Sequence, residues 1–185
     1  TDRLVALSRA LIGRIRGGLA QVNVLVSMFF AGMNGSVVAD TATVGALVLP
    51  AMKKAGYPAA FSAAVTGVSS TIGGIIPPSI MMIVLANATE ISIASLFAAG
   101  IIPGILIGVV IMVINHYFAV KYNFERSDEP FSVRRAGKEL YRSSFALLIP
   151  LVLVGSVMGG VASVVEAGAI TCLLYTSDAA DDMFR

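Results

Sequence analysis

Between Ala55 and Thr89 the chain carries no charged residue, and the middle of this apolar run reads Ile72-Gly73-Gly74-Ile75-Ile76-Pro77-Pro78-Ser79. About 20 apolar residues are enough to cross a bilayer as a helix, so the run is long enough to cross. It cannot cross as one unbroken helix. Two prolines remove backbone donors and clash with the preceding turn, and two glycines loosen the chain at the same point. Free backbone groups are too costly to leave in lipid. A break at membrane depth must therefore be buried in protein or line a wet cavity. Broken helices of this kind hold ions and substrates in secondary transporters, so the segment is a candidate site.

The rest of the chain has the same character. It is 57% hydrophobic and only 13% charged, with a mean hydropathy of +0.87, against about 25% charged residues in a soluble domain. This predicts an all-α integral membrane protein. Its 18 glycines suit close helix packing in lipid. Charges divide the sequence into seven parts: an amphipathic surface or arm helix over 1–16, a hairpin and return helix over 17–56, the broken transmembrane helix over 57–90, a transmembrane helix over 91–120, a charged cytoplasmic connector over 121–142, an apolar membrane segment over 143–171, and a tail over 172–185. The tail, Cys172-Leu173-Leu174-Tyr175-Thr176-Ser177-Asp178-Ala179-Ala180-Asp181-Asp182, reads like a translated sequencing-library adapter that interrupts a helical pattern, and it holds the single cysteine. Thr1 opens the chain without an initiator Met, which suggests a fragment of a longer protein.

Basic residues cluster near Arg14 and Arg16, at Lys53 and Lys54, and over Lys121–Arg142. The positive-inside rule puts all three on the cytoplasmic side. Residues 17–52 must then enter and leave the membrane on one side, as a re-entrant hairpin with its tip at Ala31-Gly32-Met33-Asn34-Gly35-Ser36. The competing topology is a plain span through Gly17–Ala39.

Two constellations could hold a ligand. At the hairpin tip, Gly32 and Gly35 free backbone carbonyls, and Asn34 and Ser36 add side-chain oxygens. Asp40 follows as an ionisable residue near membrane depth, where such residues are expensive. Hard oxygen donors suit a cation such as sodium. The alternative for Asp40 is to cap a helix starting at Thr41. The second constellation is Ser69, Ser70, Thr71 and Gly73 ahead of Pro77 and Pro78. The half-helix ending there presents carbonyls to a cation, and the one starting near Ser79 presents amide donors to an anion. The alternative is that the hydroxyls bond back to their own helix. There is one His, no metal-ligand spacing, no phosphate loop and no paired carboxylates, so neither an enzyme nor a cofactor is expected. The basic charge is too sparse for nucleic-acid binding.

Three stretches carry a family resemblance: Ile15-Arg16-Gly17-Gly18-Leu19-Ala20-Gln21-Val22-Asn23-Val24, Phe30-Ala31-Gly32-Met33-Asn34-Gly35-Ser36-Val37-Val38-Ala39-Asp40, and Ser69-Ser70-Thr71-Ile72-Gly73-Gly74-Ile75-Ile76-Pro77-Pro78-Ser79-Ile80. The chain resembles the large membrane subunit of tripartite ATP-independent periplasmic (TRAP) transporters. The resemblance implies the first half of an inverted-repeat, elevator-type, sodium-coupled transporter in the bacterial inner membrane. It implies a small membrane subunit and a periplasmic substrate-binding protein as partners, and an organic acid carrying a carboxylate as cargo. The segment near Val161–Ala169 would open the second repeat, whose hairpin and broken helix are missing. The chain departs from the family pattern in having Gly73-Gly74 for Gly-Pro, Asn34 for Ser, and Ala162-Ser163-Val164-Val165 for Thr-Pro-Thr. Competing functions are an ion-coupled organic-anion carrier without a binding protein and a non-transporting membrane scaffold subunit.

Overall fold

The structure is a computed structural model that describes residues 15–124 and 150–183, with Ser8, Ile12 and Leu148. The arm helix over 1–16 and the connector over 121–142 fall almost wholly outside the described residues. Every regular element described is helical.

Helix α1 runs Gly18–Asn34 and stops because Gly35 takes the left-handed conformation, φ 57°, with its amide bonded to Ala31 O. Ser36 then caps α2, Val37–Lys54. Lys53 and Lys54 close that helix, where cations complement the carbonyl end. Together α1 and α2 form a helical hairpin turning at the expected tip. Its core gathers residues at four-residue spacing, Val22, Val26 and Phe30 on α1 and Val44, Val48 and Met52 on α2, in one buried cluster with Val65 and Ile72.

The apolar run breaks where Pro and Gly require. Helix α3, Ala59–Ser70, tightens into a 3-10 turn over Thr71–Gly74. The chain passes through a cis Pro77-Pro78 bond and restarts as α4, Ile80–Thr89. Glu90 ends α4 in the left-handed region, and Ser92 caps α5, Ile93–Lys121. Helix α5 is the one described helix long and apolar enough to cross a membrane. Its buried face holds Gly100, Gly104, Gly108, Ile111, Asn115 and Ala119. The three glycines, one turn apart, admit Met82, Ile76 and Met28, the small-residue packing typical of membrane helices. Its other face exposes Ile102, Leu106, Val109 and Val113, an apolar stripe that water would not tolerate.

The two ends of the hairpin lie together at one end of the bundle. Arg16 Nη1 donates to Asn123 Oδ1 at 3.2 Å, and the Tyr57 ring sits 4.7 Å from Phe124. Arg16, Lys54 and Lys121 therefore gather beside an aromatic group of Tyr57, Phe61, Phe118 and Phe124. The apolar segment over 143–171 is not one span. Helical residues 150–158 end in a turn with Gly160 at φ 65°, and α6, Val164–Met183, begins afresh. Glycine pairs stop helices at left-handed positions, and that signal lay in Gly159-Gly160. Helix α6 runs on through Cys172 to Met183. The Ser163 region that departs from the family pattern makes a capping box: Glu166 Oε2 accepts from Ser163 N and Oγ, both at 2.8 Å.

Candidate functional site

The hairpin tip seats on the helix break. Gly35 O accepts from Ile80 N at 3.1 Å, so the tip carbonyl satisfies the first amide of α4. A Cβ at Gly35 would run into the Pro78 carbonyl, and one at Gly73 would lie 3.6 Å from Ser36 O and 3.7 Å from Asp40 Cβ. Gly35, Ser36, Asp40, Gly73, Pro77 and Pro78 are thus brought into one place, with Gly73 and Pro77 buried. Gly32 lies elsewhere, where an added Cβ would stand 3.2 Å from Pro150 Cβ. Asn34 shapes the tip, its Oδ1 accepting from Ser36 N at 3.1 Å.

Asp40 does not cap a helix. Helix α2 begins three residues before it, at Val37, because the Ser36 hydroxyl accepts from Ala39 N and fills the capping role first. Asp40 falls on the inner face of the first turn and is fully buried. The Ser70 and Ser27 hydroxyls lie beside its carboxylate. Neither makes a hydrogen bond of good geometry with it: among the described residues Asp40 Oδ1, Asp40 Oδ2 and Ser70 Oγ all lack a partner. A buried carboxylate without compensation costs several kcal/mol or more. Such a group calls for a proton or a cation.

A hydrogen-bonded network runs behind this carboxylate from α1 to α3. Asn23 Nδ2 donates to Thr66 Oγ1 at 2.7 Å, and Ser69 Oγ donates to Asn23 Oδ1 at 3.1 Å. Ser69 Oγ also lies 3.2 Å from Ser27 Oγ. All four residues are buried. Sequence reading did not single out Asn23 or Ser27 as site residues. The available signal was two polar residues one turn apart on a largely apolar helix, which puts them on one face.

Two expectations change. Thr71 is exposed and bonds back to Val68 O at 2.7 Å, so it faces away from Asp40. The start of α4 is also less open to an anion than the isolated half-helix suggests. Ile80 N is bonded to Gly35 O, and Met82 N to the Ser79 hydroxyl, which itself donates to Gly74 O at 2.8 Å. The hairpin and the cap occupy donors that a carboxylate would have used.

Residues 1–176 match the family profile "Tripartite ATP-independent periplasmic transporter, DctM component". The chain is 36% identical over 171 residues to the C4-dicarboxylate TRAP transporter large permease protein DctM of Pseudomonas aeruginosa, covering 92% of this chain and 40% of that protein. It is 37% identical over 177 residues to the sialic acid TRAP transporter permease protein SiaT of Haemophilus influenzae, covering 95% and 28%. It is 36% identical over 170 residues to the 2,3-diketo-L-gulonate TRAP transporter large permease protein YiaN of Escherichia coli, covering 92% and 40%. The chain therefore spans less than half the length of these relatives.

Proposed function

The chain belongs to the DctM-component family of tripartite ATP-independent periplasmic transporters, and from that premise we propose that it is part of a sodium-coupled importer of an organic acid. In this reading the full-length permease sits in the bacterial inner membrane, works with a small membrane subunit, and receives a carboxylate-bearing substrate from a periplasmic binding protein. The three relatives named above carry different acids by name, so the substrate is assigned only to that class.

The observation that carries sodium coupling is the buried Asp40 carboxylate beside Ser70 and Ser27, where the hairpin tip meets the helix break. An unpaired carboxylate, hydroxyl oxygens and the Ser36 carbonyl are hard donors, the set a small hard cation prefers. The ligands come from both the hairpin and the broken helix, so the ion would bind where tip and break meet and would hold them together. An ion that binds only the assembled arrangement stabilises it by mass action. Gly35, Ser36, Asp40, Ser69, Ser70, Gly73, Pro77 and Pro78 form or support the proposed pocket.

Re-entrance of the hairpin has its own support. Helix α1, with 17 residues, is about 26 Å long, whereas α5, with 29, is about 44 Å. Ile76 of the break packs on Gly104, and the stretch of α5 from there to Lys121 is again about 26 Å. The hairpin thus leaves the basic end, reaches the break part-way along α5 and returns.

The test is uptake by the full-length permease with both partners in proteoliposomes. Uptake should require an inward sodium gradient, and sodium should raise the thermal stability of the complex. Equal uptake on a potassium gradient rejects sodium coupling. Uptake that persists without a binding protein points to the simpler carrier. No uptake and no sodium-dependent thermal shift leave a scaffold subunit.

A further inference from the structure

We infer that Asn23 and Thr66 are positioning residues that set the direction of the hydroxyl at Ser27, so that Ser27 turns a lone pair, not a proton, toward Asp40. The inference rests on the sodium reading of that pocket and adds a mechanism to it.

The directions follow from which groups can donate. Thr66 Oγ1 lies 2.9 Å from Ser62 O and 2.7 Å from Asn23 Nδ2. A carbonyl only accepts and an amide nitrogen only donates. The Thr66 hydroxyl therefore gives its proton to Ser62 and receives one from Asn23. Met52 Sδ, 3.6 Å from the same nitrogen, is a weak acceptor for the second amide proton and favours the same orientation. The carboxamide is held with Oδ1 toward Ser69.

Ser69 has one proton and three acceptors within reach, Asn23 Oδ1 at 3.1 Å, Thr66 O at 3.1 Å and Ser27 Oγ at 3.2 Å. Thr66 O already serves its own helix, and Asn23 Oδ1, for which Ser69 is the one donor among the described residues, draws the proton away from Ser27. Ser69 can then only accept across the 3.2 Å contact between the two hydroxyls, and Ser27 must donate. With its proton committed to Ser69, Ser27 faces Asp40 through lone pairs. This accounts for the absence of a hydrogen bond from Ser27 to a carboxylate it lies beside. Oxygens that face each other as acceptors repel unless a cation stands between them. Freed from this chain, Ser27 would donate to Asp40 and neutralise part of the attraction for an ion. Neither Asn23 nor Thr66 needs to touch the ion to have this effect.

The decisive variant is Thr66→Val in the full-length permease, reconstituted with both partners. Valine keeps the shape and removes the acceptor that orients Asn23. Sodium chloride is titrated against uptake and against thermal stability. The half-saturating sodium concentration is expected to rise about tenfold, the scale of one misdirected hydroxyl at a buried site. The maximal rate at saturating sodium should stay within about twofold of wild type. Thr66→Ser, which keeps the hydroxyl, should restore wild-type sodium dependence. If the valine variant does not assemble, Thr66→Ala read against Thr66→Ser makes the same comparison. Wild-type sodium dependence in the valine or alanine variant overturns the inference and leaves the pocket reading intact. Failure of serine to rescue overturns it in favour of packing. A wild-type complex with no sodium response at all removes the pocket reading, and this inference with it.

Discussion

Substituting Gly35 tests the contact on which the site is built. Gly35 sits at φ 57° and ψ 18°, where an L side chain costs about 1–2 kcal/mol. Its missing Cβ would also overlap the Pro78 carbonyl and approach Ser79 Cα at 3.2 Å. These are backbone atoms held by a proline pair and a helix cap, so the tip must retreat. Overpacking of that kind adds about 1–3 kcal/mol, and retreat stretches the Ile80 N to Gly35 O bond, worth about 1 kcal/mol. Gly35→Ala should therefore weaken docking of tip on break by about 3–6 kcal/mol. If half of that falls on the ion-bound arrangement, apparent sodium affinity drops by about tenfold or more. Thermal unfolding of the purified complex with and without sodium, and sodium titration of uptake, measure both parts. Gly35→Asn separates the two causes, because Asn tolerates the left-handed region but still brings a Cβ. We expect Asn to recover only the conformational share, so that Gly35→Asn remains clearly impaired. An Asn variant as stable and as sodium-sensitive as wild type would refute the argument, for it would mean that Pro78 does not stand against the tip.

Asp40→Asn should abolish sodium-dependent uptake and the sodium-induced thermal shift while leaving the sodium-free protein as stable as wild type or more so, since an uncompensated buried charge is removed; retained sodium dependence would move the ion elsewhere. Gly104→Val, which would press on the Ile76 side chain, should destabilise by about 1–3 kcal/mol, seen as a lower unfolding temperature that saturating sodium does not restore. Single cysteines at Gly56 and Glu90 in the full-length permease should be labelled by an impermeant maleimide from opposite sides of the membrane, with Gly56 reached from the cytoplasm; labelling of Gly56 from the periplasmic side would refute the re-entrant reading.

The signals that could be read along the chain were those imposed by local covalent chemistry. Pro77 and Pro78 lack the amides a helix needs, and Gly35 adopts without strain a left-handed conformation that would cost Met33. The break and the hairpin turn are therefore visible in a few letters. The outward stripe of α5 could be read for a similar reason, because nothing but lipid or protein accepts so many exposed aliphatic side chains. Reading stopped where two faces had to meet. Asp40 and Thr71 had equally good local alternatives, a cap for one and an inward hydroxyl for the other. The choice fell to the Ser36 hydroxyl, which started α2 early and turned Asp40 inward, and to the helical phase that put Thr71 on the outside.

Sequence alone thus settled where the backbone must stop being helical, since a missing donor or a positive φ is a property of one residue and its neighbours. Which polar groups become partners was decided only in three dimensions. Asn23 reaches Thr66 and Ser69 across more than forty residues because the face of α1 that carries Asn23 and Ser27 packs on the face of α3 that carries Thr66 and Ser69. The amides at the head of α4 are occupied because a carbonyl from another hairpin arrives there. Hydrogen bonds act over about 3 Å, so their pattern belongs to the packed arrangement and not to the order of residues.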